Sequence, residues 1–226
     1  MAGYSTNGVA QHTFALLFYI LEKLSYYDQY VKSGEYARGS CFSHFGKSFC
    51  ELQDKTWGII GLGAIGRRVA QLAEAFGCKV LCYSASGHKY DSRYEQTDFD
   101  TLLAKSDFIS VHAPLNAYTE NLFTLDAFKK MKNTAIFINV ARGALVNEQD
   151  LYTALTTDEI AGAALDVLCR EPMDPENPLL KIQDSTRLLI TPHIAWAAKE
   201  TRFRVVEEVV QNIRRFQRGD TVNRVY

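Results

Sequence analysis

From Thr56 onward, short apolar runs alternate with segments whose apolar positions recur every three or four residues. The runs TWGIIG, CKVLCYS, DFISVHA, AIFINV, IAGAALDV and RLLIT are rich in β-branched and aliphatic residues and predict six strands. Between the first two, Ile65, Val69, Leu72, Ala73 and Phe76 share one face of a helix. Apolar strands alternating with amphipathic helices predict an α/β fold, a Rossmann-type doubly wound parallel sheet covered on both faces. Two long helices are expected to flank it. Thr6 to about Tyr27 is apolar on most of its surface and needs cover on several sides; about Ala198 to Arg218 carries a stripe of Val206, Val209, Val210, Ile213 and Phe216, with Gly219 as its stop. Ser33 to Gln53, with Gly34, Gly39, Gly46 and several aromatics, follows neither period and reads as an extended arm or loop.

Charge narrows the function classes. The formal net charge of −1 comes from 25 basic and 26 acidic residues interspersed along the chain, so no basic face is expected and nucleic acid is not a predicted partner. The five cysteines are odd in number and form no CxxC pair, which argues against a disulfide framework or a zinc knuckle and for a reducing compartment; no metal is expected. The longest apolar run, Phe14 to Leu21, falls well short of the roughly 20 residues a membrane span needs, and MAGYSTNG before it lacks the basic start of a signal peptide. A cytoplasmic location without a membrane partner is the expectation.

The run IIGLGAIGRRVA places Gly61, Gly63 and Gly66 in a GxGxxG between a strand and a helix. The first glycine permits the tight turn, the second lets backbone approach a pyrophosphate, and the third lets helix and strand pack closely. Ala64 and Ile65 then open a helix whose free N–H groups and positive end face the phosphates. The second strand ends in KVLCYSASGHKY, where an acidic residue would hold the adenosine ribose of NAD; Ser84 stands there, followed by His88 and Lys89. Without that acid, selectivity against NADP should be weak, so the cofactor is expected to be NAD or NADP, with Ser84→Asp shifting preference toward NAD.

The motifs YSTNGVAQHTFALL, GIIGLGAIGRRVA, SVHAPLNAYTENLF, FINVARGALVNEQDL, GAALDVLCREP and LLITPHIAWAAKE, in this order over nearly the whole chain, resemble the D-isomer-specific 2-hydroxyacid dehydrogenases, in particular their glycerate dehydrogenase and hydroxypyruvate reductase branch. The resemblance implies catalytic roles for Arg142, Glu171 and His193. It also implies cofactor contacts from the backbone N–H groups of Ala64 and Ile65 at the pyrophosphate, at Ala113, Pro114 and Thr119 on the adenosine half and at Val140 and Asp166 toward the nicotinamide, with Ala141 and Arg142 also at the cofactor. Trp196 resembles a tryptophan that borders the substrate in the glycerate branch, and packing against the last helix is its competing reading. The apolar first helix and the aromatic arm look like the family's dimer contact, which implies a homodimer.

The chemistry calls for these residue types. Reducing a 2-oxo acid needs a hydride donor on one face of the carbonyl, a proton donor near its oxygen, and a cation to hold the carboxylate. Imidazole changes charge near neutrality, a carboxylate beside it favours its charged form and fixes its orientation, and guanidinium keeps its charge throughout. Each residue also has a plain structural reading. Arg142 could open a helix, Glu171 could be a solvated loop acid, His193 a turn histidine and Asp166 a loop cap. His112, at a strand end where no acid or base is required, is read as structural, and His12, His44 and His88 receive no catalytic role.

The expected organisation is a coenzyme domain over residues 1–194 and a C-terminal helix over 195–226 belonging to a largely absent substrate domain. In the family, the first part of that domain precedes the YST helix, which here opens the chain. Glyoxylate, or hydroxypyruvate with D-glycerate, is the expected substrate class, with turnover by this chain impaired. The alternatives are a dimerising, cofactor-binding fragment and a corepressor-like NAD(H) sensor of the C-terminal binding protein type.

Overall fold

The structure, a computed structural model, describes residues 3–90 and 93–221. The chain opens with three helices, α1 (Thr6–Leu21), α2 (Leu24–Lys32) and α3 (Glu35–Arg38), and enters the sheet at β1 (Thr56–Ile60). There follow α4 (Ala64–Ala75), β2 (Lys79–Tyr83), β3 (Glu95–Gln96), α5 (Phe99–Lys105), β4 (Phe108–Val111), α6 (Leu125–Lys130), β5 (Ile136–Asn139), α7 (Glu148–Thr156), β6 (Gly162–Leu165), β7 (Leu188–Ile190) and α8 (Lys199–Gln217). Among the described residues the sheet has seven strands, all parallel, in the order β3-β2-β1-β4-β5-β6-β7. Succession reverses between β1 and β4, the crevice where open α/β sheets receive ligands.

Strand alternation divides the core between two faces. Trp57, Ile59, Ile136 and Ile138 turn toward α1 and α4, where they meet Val9, Phe14, Leu17 and Ile20. Ile60, Ile109, Val111 and Phe137 turn the other way, into a cluster with Leu102, Phe128 and Leu151. α1 is buried along most of its length, and burying each of its large aliphatic side chains is worth about 1.5–3 kcal/mol.

Three elements differ from expectation. The first helix does not run to Tyr27: it stops at Leu21, Lys23 adopts a left-handed φ of 56°, and α2 restarts on a new axis with no buried residue. Lys23 Nζ donates to Thr186 O at 3.0 Å, and this long-range contact holds the break. A seventh strand, β3, pairs through two residues only and is too short to leave a periodic signal. The predicted arm contains the single turn α3, and beyond it Phe42 and Phe45 stand 90% and 87% exposed. The C-terminal helix matches its predicted span; only Thr201 of α8 is buried, and its apolar stripe faces solvent.

Candidate functional site

Because the strands are parallel, Gly61, His112, Val140, Asp166 and Thr191 all leave the sheet at one edge. The glycine turn lies in the crevice. Gly61 has φ 90°, and a Cβ on it would lie 2.8 Å from Ala113 N; a Cβ on Gly66 would lie 2.2 Å from Gly61 O, so the turn and α4 pack backbone to backbone. A Cβ on Gly63 would meet nothing within 4 Å. The first turn of α4 has neither a capping side chain nor an acidic residue, so the N–H groups of Ala64, Ile65 and Gly66 present the positive end of the helix over this open cradle. An open cradle with uncapped N–H donors fits a dinucleotide pyrophosphate.

The flanks of the crevice are held by their own hydrogen bonds. Ala113 is buried and Pro114 exposed, and Thr119 Oγ1 donates to Pro114 O at 2.7 Å while accepting from Asn116 N at 2.8 Å, which closes the loop after β4. After β2, Ser84 is buried and its hydroxyl lies 3.3 Å from that of Ser86; His88 and Lys89 are exposed. Gln96 pins this loop, donating to His88 O and accepting from Tyr90 N.

Beyond β5, Val140 is buried and Arg142 is exposed, with a guanidinium N–H donating to Ala141 O at 2.7 Å. The turn that carries them is organised by Asn139, fully buried, whose amide donates to Arg142 O and accepts from Ala141 N. Sequence reasoning passed over Asn139, although one amide in an otherwise apolar strand is a signal that can be read. Gly143 touches the next loop so closely that a Cβ there would lie 1.9 Å from the carbonyl carbon of Leu168.

Glu171 and His193, from the loops after β6 and β7, meet directly: His193 Nδ1–H donates to Glu171 Oε2 at 2.7 Å. Glu171 Oε1 accepts from Leu168 N at 2.9 Å. Partial burial pushes the Glu171 carboxyl up, but the hydrogen bonds from His193 and the Leu168 N–H outweigh it and hold it below its usual range. Glu148, also missed from sequence, fixes the same loop by accepting from Cys169 N and Asn177 Nδ2, both at 2.7 Å. Asp166 is 1% exposed, and its carboxylate accepts from Thr191 Oγ1, Ile194 N and Ala195 N. Burial raises the Asp166 carboxyl, yet these donors together with His12 carry it below the usual carboxylate range. A cavity of about 520 Å³ lies beside the pair, lined by Asp166, Thr191 and the pair itself together with apolar Leu168 and Met173. Trp196 is 37% exposed.

His112 turns away from this chemistry. Its Nε2 lies 2.9 Å from Ser110 Oγ, which also accepts from Trp57 Nε1, and burial drops the imidazole to about 3. Burial pushes the Cys78 thiol up to about 12, and desolvation together with the neighbouring Glu148 carboxylate pushes the Cys169 thiol up to about 11. Among the described residues no group of three His, Cys, Asp or Glu side chains could hold a metal ion, and no helix is long and apolar enough to cross a membrane.

Residues 14–195 match the D-isomer specific 2-hydroxyacid dehydrogenase, NAD binding domain. A hydroxypyruvate reductase of Blautia hydrogenotrophica is 38% identical over 224 residues, covering 97% of this chain and 68% of that protein. The D-lactate dehydrogenase of Aquifex aeolicus, crystallised with NAD and lactic acid, superimposes with a TM-score of 0.87 at 32% identity, over 97% of this chain and 69% of that one. An acyclic imino acid reductase bound to NADPH and D-Arg superimposes with a TM-score of 0.83 at 35% identity, over 99% of this chain and 69% of that one.

Proposed function

Since the chain belongs to the D-isomer-specific 2-hydroxyacid dehydrogenases through their NAD-binding domain, we propose that it transfers hydride between a nicotinamide cofactor and a small 2-oxo or 2-hydroxy acid, with glyoxylate or hydroxypyruvate and D-glycerate as the substrate class. The observation that carries this reading is the His193–Glu171 hydrogen bond of 2.7 Å on the same sheet edge as the glycine cradle and Arg142. The bound cofactor supplies the hydride. Glu171 holds the ring by Nδ1, which leaves Nε2 of His193 to give a proton to the carbonyl oxygen or, in the reverse direction, to take one from the hydroxyl. Arg142, whose guanidinium reaches solvent, holds the carboxylate and polarises the carbonyl. Val140, Ala141 and the loop capped by Asp166 border the nicotinamide, and Ala113, Pro114 and Thr119 border the adenosine.

The loop from Ser84 to Tyr90 has no carboxylate to repel a 2′-phosphate and has two exposed basic side chains, which supports use of both NADH and NADPH. The pair itself is open: 42% of the His193 side chain and 37% of the Glu171 side chain reach solvent. Open water competes for the carbonyl and weakens every electrostatic contact, so turnover by this chain alone should be slow. One experiment tests all of this: cofactor affinity by fluorescence titration, and reduction of glyoxylate and hydroxypyruvate by the purified 226-residue chain. The expected result is binding of both cofactors within a hundredfold of each other, about 2.7 kcal/mol, with reduction slower than about 1 s⁻¹. Absence of both cofactor binding and any reduction would sink the dehydrogenase reading. Rates of about 1 to 1,000 s⁻¹ would refute the impairment alone.

A homodimer is the second part of the reading. Phe42, Phe45 and Phe49 stand exposed on an arm whose base is held by the stacking of His44 on Tyr30, their ring centroids 3.7 Å apart, so a preformed apolar surface awaits cover. Sedimentation equilibrium should give twice the 25.5 kDa chain mass, and a monomer at tens of micromolar would remove the dimer.

A further inference from the structure

His12 lies on α1, far in sequence from the proposed proton donor, and no role follows for it from the dehydrogenase motifs. Its side chain is 19% exposed, and its Nε2 lies 3.0 Å from Thr191 Oγ1 and 3.5 Å from Asp166 Oδ1. The proton positions follow from the partners. The Asp166 carboxylate, held below its usual range, accepts only, so the 2.6 Å contact with Thr191 requires the hydroxyl to donate to Oδ1. Thr191 Oγ1 is then left with lone pairs, and His12 Nε2 must carry the hydrogen that reaches them. The result is a relay of fixed polarity, His12 to Thr191 to Asp166.

Asp166 is the hub of the histidine loop. Its carboxylate accepts from Ile194 N at 2.9 Å and Ala195 N at 2.8 Å, and its backbone carbonyl accepts from His193 N at 2.8 Å. Thr191 N donates to Leu165 O, and Pro192 has no N–H to donate. Every available N–H from Thr191 to Ala195 thus ends on residues 165 and 166 or, for the forked bond of His193, also on Thr191 O. This over-determination holds His193 at a left-handed φ of 55°, a conformation that needs its surroundings to enforce it. His12 is the point at which α1, packed against β5, β6 and β7, enters that network.

We propose that His12 is a positioning residue for the proton donor, fixing through Thr191 and Asp166 the loop that sets His193 against Glu171. The proposal rests on the reading of His193 as the acid of a 2-oxo acid reductase, but its first readout needs no turnover. A neutral His193 whose Nδ1–H is held by Glu171 populates one tautomer; a loosened loop returns the ring to a mixture. Imidazole ¹⁵N NMR of the whole chain, assigned with His193→Ala, reports this directly. In His12→Leu, the single tautomer should give way to a mixture and single-turnover reduction of hydroxypyruvate should slow at least about fivefold, within the roughly hundredfold that misplacement by 1 Å can cost. NADH affinity should stay within about threefold. His12→Gln, whose amide N–H reaches the position of Nε2, should restore both. Thr191→Val cuts the relay at its other end, should behave like His12→Leu, and stands in for it if that variant fails to fold. A single tautomer and an unchanged rate in either cut variant, or a Gln variant as impaired as the Leu variant, would overturn the proposal. Where wild-type chain gives the single tautomer but neither binds cofactor nor reduces hydroxypyruvate, the dehydrogenase reading fails while the tautomer arm still decides the relay.

Discussion

Replacing His193 by alanine is expected to slow hydroxypyruvate reduction by about 10²- to 10⁴-fold, the usual share of a positioned acid or base, while NADH affinity stays within about threefold, under 1 kcal/mol. The split follows from where the ring stands. Its backbone hangs from Asp166 O, its Nδ1–H points to Glu171, and 42% of its side chain is open to solvent, whereas the glycine cradle is built from β1 and α4. Truncation at Cβ leaves the backbone hydrogen bonds of the loop intact, so folding and the cradle should survive. With the chain in excess over NADH, a single turnover isolates the chemical step from slow exchange. An unchanged single-turnover rate would remove His193 from the mechanism, and a joint loss of rate and cofactor affinity would mean that the loop had collapsed.

Gly143→Ala should be the most damaging small substitution. The new Cβ would lie 1.9 Å from Leu168 C, 2.0 Å from Leu168 O and 2.3 Å from Cys169 N, all backbone atoms that cannot swing aside as a side-chain tip would. The loop after β6 must therefore move, and with it the Leu168 N–H that Glu171 accepts and the Cys169 N–H that Glu148 accepts. Overpacking of this kind costs about 3 kcal/mol at the upper end of the common range, which for a chain of this length lowers the unfolding midpoint by roughly 10 °C. Reduction should fall together with stability, because Glu171 is displaced from His193. Urea denaturation measures the first effect; a loss below about 0.5 kcal/mol, the range of ordinary surface changes, would show that the loops separate more easily than their contact implies.

What the chain determines by itself is what short-range periodicity can encode. Strands such as AIFINV and GAALDV are apolar on both sides because helices cover both faces of a parallel sheet, and that pattern is visible within a few residues. Gly61, Gly63 and Gly66 state the turn, whereas Arg142, Glu171 and His193 are singled out by the resemblance of their motifs, since each taken alone reads equally as structural. The break between α1 and α2 was not legible, since nothing from Thr6 to Tyr27 forbids a continuous helix; the Lys23 contact with Thr186 O comes from 163 residues away. The same holds for the network around the site. His12 meets Thr191 across 179 residues, Glu148 meets Asn177 across 29, and Asp166 reads equally as loop cap or cofactor contact until its donors are seen. Hydrogen-bond partners of buried polar groups are chosen by which loops the sheet brings to one edge. Sequence therefore names the candidate groups, while the tertiary structure alone decides which neighbours hold them and at what angle, because that depends on distances closed only when seven strands align.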